Sequence, residues 1–216
     1  MYLISFFILV FFIGGIPFGL LISRYYLKID IRQQGSGNIG MTNVIRVGGK
    51  LPGLLTFLLD FGKGSLSIIF AKIFVMPLIN EIETQKIFLS LAGVIVVCGH
   101  VFSVFLRFKG GKGISTLFGV LAVLNLNIGI CAAGIWLAIF LWKHISSLSG
   151  ITMLTLLPLL FLLMPLIKNE SPVWSVFFLF LLLSFLLVYK HLENIKRLLR
   201  GQEGQLSASK NNDVHS

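Results

Sequence analysis

Residues 2–22, YLISFFILVFFIGGIPFGLLI, are apolar for long enough to cross the ~30 Å hydrocarbon core of a bilayer as one helix. No basic residue precedes the run and no small-x-small cleavage site follows it, which reads as a span rather than a secretory signal. Arg24 and Lys28 come directly after it, and positive charge on that side puts the N-terminus outside. Gly14, Gly15, Pro17 and Gly19 interrupt the run, as expected where helices pack closely around a kink. The whole chain shares this character. Of its 216 residues 56% are hydrophobic and 12% charged, and the mean hydropathy of +0.94 lies outside the range of a soluble domain. The apolar runs lack the polar alternation of an outer-membrane barrel, so the expected fold is an all-α integral membrane bundle. A formal net charge of +10 would point a soluble chain toward nucleic acid. Here the basic residues flank apolar runs, where topology and membrane lipids account for them, and nucleic acid is not an expected partner. Cys98 and Cys131 lie in apolar stretches at no metal or redox spacing and read as free buried thiols.

Further apolar stretches cover 51–79, 86–106, 114–142, 148–167 and 172–189. The stretch 114–142 is long for one span and short for two, and Asn125 and Asn127 mark a turn in its middle. Charge decides between the two. With two spans there, one side of the membrane collects five Lys and Arg from Arg24 to Lys50, three from Arg107 to Lys112, Lys143, and five from Lys190 to Lys210, which is fourteen of eighteen. The positive-inside rule therefore predicts seven transmembrane helices, N-terminus out and C-terminus cytosolic. Residues 1–204 form the membrane domain, and 205–216 a polar tail expected to be disordered.

Three polar clusters punctuate these runs. The first, RQQGSGNIGMTNVIRVGGK (32–50), alternates glycines with Ser36, Asn38, Thr42 and Asn43, and its only charges are Arg32, Arg46 and Lys50. Glycine allows successive N–H groups to turn inward, and the basic side chains neutralise a bound oxyanion, for which phosphate is the natural guest. The spacing is not GxxxxGK[ST] and no βαβ pattern surrounds it, so a P-loop does not follow. The second cluster places Arg107, Lys109 and Lys112 among Gly110, Gly111 and Gly113, just after His100; alone it reads as positive-inside flanking, and a second basic glycine loop on the same side turns the reading toward phosphate binding. The third, HLENIKRLLRGQEG, sets His191 and Asn194 three apart on one helical side. Ser146, Ser147 and Ser149 stand at the start of the sixth span, as helix caps or as ligand contacts. Within the second span Asp60 and Lys63 occupy neighbouring helical positions and can pair, structurally or near the site.

In order and with these spacings, GSGNIGMTNVIR (35–46), DFGKG (60–64), GHVFSVFLRFKGGKG (99–113) and HLENIKRLLRGQE (191–203) resemble the bacterial acyl-phosphate-dependent glycerol-3-phosphate acyltransferases of the inner membrane. The resemblance covers nearly all of the chain before the tail. Met41, Ser103, Gly62 and Ser115 depart from the residues usual in that family, and none of them removes a charged or hydrogen-bonding group. The resemblance implies transfer of a fatty acyl group from acyl phosphate to the sn-1 hydroxyl of glycerol 3-phosphate, at a site facing the cytosol. The loops carry no carboxylate cluster, and a site built on lysine and arginine needs no cation to neutralise phosphate, so no metal or cofactor is expected. An enzyme that forms acyl phosphate is an implied partner. The chain lacks the HxxxxD pattern of thioester-dependent acyltransferases, in keeping with a donor already activated as a mixed anhydride. The implied catalytic residues are Lys112, His191, Asn194 and Arg46, with Ser36, Gly37, Asn38, Thr42, Asn43, Gly110, Gly111, Gly113, Ser147 and Ser149 binding substrate. Within that set, Lys112 and the amides of residues 110–113 hold the acyl phosphate, while Ser36, Arg46 and Asn194 hold the acceptor. The rival class is a transporter of organic phosphates, which the broken helices and intramembrane charges also suit; it would normally show paired halves, and no internal repeat relates residues 1–100 to 101–190.

Overall fold

The computed structural model describes residues 2–206, and these form helices and connecting loops. The first apolar run is broken where proline removes an amide donor: α1 spans Tyr2–Gly15 and α2 spans Phe18–Tyr26, with Pro17 at the junction. Two carbonyls freed at this break are satisfied from elsewhere in the chain. Ser103 Oγ donates to Gly15 O at 2.5 Å, and Lys63 Nζ donates to Ile16 O at 2.9 Å. The expected kink is thus a discontinuity held by side chains of two other segments.

The glycine cluster is only half loop. After a 3₁₀ turn at Ile31–Gln33, its second part winds into α3, Met41–Gly48, before α4, Lys50–Phe74, enters the membrane. Asp30 anchors the start, pairing with Arg24 at 2.9 Å and Arg32 at 2.5 Å. Asn43 ties the loop together. Its Nδ2 donates to the carbonyls of Ile31, Gln34 and Asn38, and its Oδ1 accepts from the Ser36 amide.

The remaining helices are α5, Ile82–Val101; α6, Ile114–Leu124; α7, Leu126–Lys143; α8, Ser146–Ile167; α9, Trp174–Tyr189; and α10, Leu192–Leu199. Five segments are long and apolar enough to cross a membrane: α1 with α2, α4, α5, α7 and α8. A sixth arises if α9 and α10, bent by 57°, count as one. The expected division of residues 114–142 is present, because Asn125 takes extended dihedrals and its side chain accepts from the Ile128 amide to cap α7. However, α6 has 11 residues, a rise of about 16 Å, which is half the ~30 Å hydrocarbon thickness.

Close backbone approach builds the bundle. A side chain at Gly64 would collide with the Thr116 carbonyl, and one at Gly119 with the Phe61 carbonyl, so α4 and α6 touch along their backbones. Between them and α5, α8 and α9 lies a core that includes Ile68, Val97, Leu117, Leu154 and Leu183, with Phe161 and Phe180 stacked at 3.9 Å. Large apolar side chains such as Ile4, Leu58, Ile73, Leu141 and Phe185 face outward, the surface expected against lipid. Cys98 and Cys131 are free thiols, half-buried rather than fully enclosed. Of the polar tail, 207–216 lie outside the described residues; the Leu206 amide donates to His144 O.

Candidate active site

A cavity of about 530 Å3 draws its wall from all three polar clusters. One helix pair, α4 and α5, separates the first cluster from the second, and two pairs, α6 with α7 and α8 with α9, separate the second from the third, with the serines at the start of α8 between those pairs; each pair returns the chain to the cavity.

Four helices begin at this cavity: α3 at Met41, α6 at Ile114, α8 at Ser146 and α10 just after His191. None has its first turn capped by the side chain at its N-cap, so the early amides lack an intrahelical acceptor and carry the positive end of each helix dipole toward the wall. Gly113 makes the start of α6 possible. It holds φ at +82°, and a Cβ there would press on Val97 and Leu187. Two cations join these termini. Arg46 is exposed, with no ion pair among the described residues, and Lys112 Nζ donates to Asn194 Oδ1. Burial pushes the Lys112 ammonium down to about 8; attraction to Glu203 opposes this, while Arg197 and Arg46 add to it.

Glu203 organises the third cluster. Its carboxylate accepts from Ser147 Oγ at 2.7 Å, Asn194 Nδ2 at 2.6 Å and Arg197 Nε at 2.6 Å. Burial works to raise its pKa, but these hydrogen bonds prevail and hold it below the ordinary glutamate value. His191 lies past the end of α9. Its Nδ1 meets Leu187 O at 2.7 Å, and since a carbonyl only accepts, Nδ1 carries the proton and Nε2 keeps a free lone pair. Burial, then the Lys112 charge, lower His191 to about 4 against the Leu187 carbonyl and Glu203, so the imidazole is neutral at physiological pH.

The expected residues divide into those on the wall and those behind it. Ser36, Asn38, Thr42, Asn43, Arg46, Lys112, Gly113, Ser147, His191 and Asn194 line the cavity. Gly37, Gly110, Gly111 and Ser149 do not. The Gly37 amide donates to Gln34 O, and the Gly110 and Gly111 amides are spent on the carbonyls of Val101 and His100, closing the end of α5. Ser149 Oγ donates to the carbonyl of Ile145, the residue just before its own helix. The amides that remain open to an anion are therefore those from Gly113 into α6. Nor do the serines cap α8: Ser146 bonds Thr42 Oγ1 at 2.9 Å, and Ser147 serves Glu203. Sequence reasoning missed Glu203, although it ends the quoted third motif, because its partner Ser147 stands 56 positions away. It also missed an apolar arm of the cavity, lined by Phe57 and Phe61 of α4, Phe118 and Ala122 of α6, and Ile130 and Trp136 of α7, and that Asp60 and His100 stand on the same wall.

Fold and cavity define a helical membrane protein able to hold an anionic head group and an apolar chain side by side. A family model described as glycerol-3-phosphate acyltransferase matches residues 4–201. A glycerol-3-phosphate acyltransferase of Dinoroseobacter shibae is 39% identical over 198 residues, 92% of this chain and 90% of the relative. The crystal structure of PlsY, an integral membrane glycerol 3-phosphate acyltransferase, in its glycerol 3-phosphate form superposes with a TM-score of 0.80 at 35% identity, covering 95% of this chain and 96% of that one. Its lysophosphatidic acid form gives 0.78 at 34%, covering 95% of each chain. The chain belongs to the glycerol-3-phosphate acyltransferase family.

Proposed function

We propose that this protein transfers a fatty acyl group from acyl phosphate to the sn-1 hydroxyl of glycerol 3-phosphate, giving 1-acylglycerol 3-phosphate and inorganic phosphate, at the cytosolic face of a bacterial inner membrane. Family membership supports the acceptor and the product, which are the molecules named for the two crystal forms of the neighbour. The observation that carries the reading is the meeting of four uncapped helix N-termini, Lys112 and Arg46 at one end of a cavity whose other arm is apolar. A phosphate on each substrate answers the first feature, and a fatty chain the second.

In this reading Ser36, Asn38, Thr42 and Arg46 hold the acceptor phosphate together with the first amides of α3. Lys112, kept in place by Asn194, and the amides from Gly113 into α6 face the donor and stabilise the charge that grows on its carbonyl oxygen. The hydroxyl oxygen forms a bond to the carbonyl carbon, the bond from that carbon to the phosphate oxygen breaks, and its electron pair leaves with phosphate. His191 Nε2 accepts a hydrogen bond from the hydroxyl and aims it. An imidazole near 4 is a weaker base than a phosphate dianion, so the proton ends on phosphate. Holding both substrates in register supplies much of the rate.

The topology that goes with this reaction has seven passages, N-terminus outside and C-terminus cytosolic, with α6 as a short inner passage paired to α7 and residues 1–204 as the catalytic membrane domain. The donor arrives from an enzyme that forms the mixed anhydride. Purified protein incubated with palmitoyl phosphate and labelled glycerol 3-phosphate in detergent should release labelled lysophosphatidic acid. Accumulation of unmodified glycerol 3-phosphate inside sealed vesicles, with no acylated product in detergent, would sink the reading in favour of transport.

A further inference from the structure

The mechanism leaves unused a buried polar group at the cavity wall: Asp60 of α4 and His100 of α5, which line the cavity, and Lys63 of α4 behind them. Lys63 Nζ lies 2.7 Å from Asp60 Oδ1, and both side chains are 2% exposed. His100 Nδ1 lies 3.5 Å from the same oxygen and 3.3 Å from Thr116 Oγ1 of α6. Charges in such a place are costly to bury, and a pair of this kind is retained where it holds a particular geometry. What it holds is the loop before Lys112. The carbonyls of His100 and Val101 take the amides of Gly111 and Gly110, both at 3.1 Å. Gly111 also lies directly against the imidazole, where any Cβ would collide with Nε2. The residue after Gly111 is Lys112. The same group reaches the broken first span, since Lys63 satisfies Ile16 O while Ser103, three residues past His100, satisfies Gly15 O.

We propose that His100, braced by Asp60, Lys63 and Thr116, is a positioning residue for Lys112. Its ring and carbonyl set the height and direction of the glycine loop, so that the ammonium meets Asn194 and the donor rather than solvent. Asp60 stands against the ring, and Lys63 ties Asp60 to the break between α1 and α2.

This inference rests on the assignment of Lys112 to the donor, and a double-mutant cycle tests the two separately. His100→Leu should raise the KM for palmitoyl phosphate by roughly tenfold or more, while the KM for glycerol 3-phosphate, whose phosphate contacts lie in residues 36–46, stays within about twofold. Asp60→Asn, closer in shape, should show the same selectivity at smaller amplitude, with a lowered unfolding temperature because Lys63 loses its buried counter-charge. In a Lys112→Ala background, His100→Leu should cost less than about twofold further, because its route to the substrate is already lost. Fully additive losses, or an equal rise in both KM values, overturn the positioning role. If Lys112→Ala alone leaves turnover unchanged, it is the assignment of Lys112 that fails.

Discussion

At the residue scale, function turns on which charges the fold leaves unspent. Lys112 must be protonated to receive an anion, and its ammonium is held near 8, so the form that binds is present below that pH and lost above it. The kcat/KM profile should therefore be flat through neutrality and fall about tenfold per pH unit above ~8. Bound phosphate raises the affinity of Lys112 for its proton, so the corresponding limb in kcat should lie at higher pH. Lys112→Arg, charged throughout the accessible range, should remove the limb whatever activity it keeps; a profile with the same limb in that variant would mean another group titrates. Arg46 is exposed on α3 with no ion pair among the described residues; if it holds the acceptor phosphate as proposed, a charge-assisted contact of about 1.5–3 kcal/mol is at stake, so Arg46→Ala should raise the KM for glycerol 3-phosphate by roughly ten- to a hundredfold. Initial-rate kinetics with acceptor varied at saturating donor check this.

At the scale of elements, the sequence pattern located the helices better than the contacts between them. Lys63 was legible as an intramembrane partner for Asp60 because positions three apart share a helical face. Its bond to Ile16 O was not, since 47 positions separate them and nothing local signals the need. Removing Lys63 strands a buried carboxylate as well as a carbonyl, a loss of about 3–5 kcal/mol where no other cation reaches in. Lys63→Ala should unfold at markedly lower temperature in detergent, with Asp60→Leu in the same chain recovering part of that loss. The apolar arm belongs to this scale as well. Along α6, Ile114, Phe118 and Ala122 face it in successive turns, and α6 ends where Lys72 Nζ bonds Val123 O at 2.5 Å. Filling the last of these turns with Ala122→Phe should depress turnover of palmitoyl phosphate by about tenfold relative to decanoyl phosphate, a loss equal to about 1.4 kcal/mol of apolar contact. Equal rates with the two donors would show that the chain lies elsewhere.

For the whole molecule, the deciding feature is that paired helices return each polar cluster to one end of the bundle. The positive charge that sits there predicts a cytosolic face. Single cysteines introduced at Gln34, Lys109 and Gln202, all exposed positions in the three clusters, should react with an impermeant maleimide only after the inner face is opened. Labelling of any one from outside would divide the site between two compartments and end the catalytic reading.

What the sequence determined alone was membrane residence, helical class, the order of the apolar runs and the identity of the cationic residues. These depend on hydrophobicity and charge summed over neighbours in the chain, and a neighbour's identity is always legible. Which hydrogen-bonding groups remain open to a ligand was decided by the tertiary structure. Gly110 and Gly111 looked as suited to phosphate as Gly113, yet their amides close the end of α5, while the open ones begin α6. Glu203 and Ser147 meet only because α8 and α9 turn the chain back. A donor is spent or free according to an acceptor that can lie anywhere along the polypeptide, and only packing says where that acceptor comes to rest.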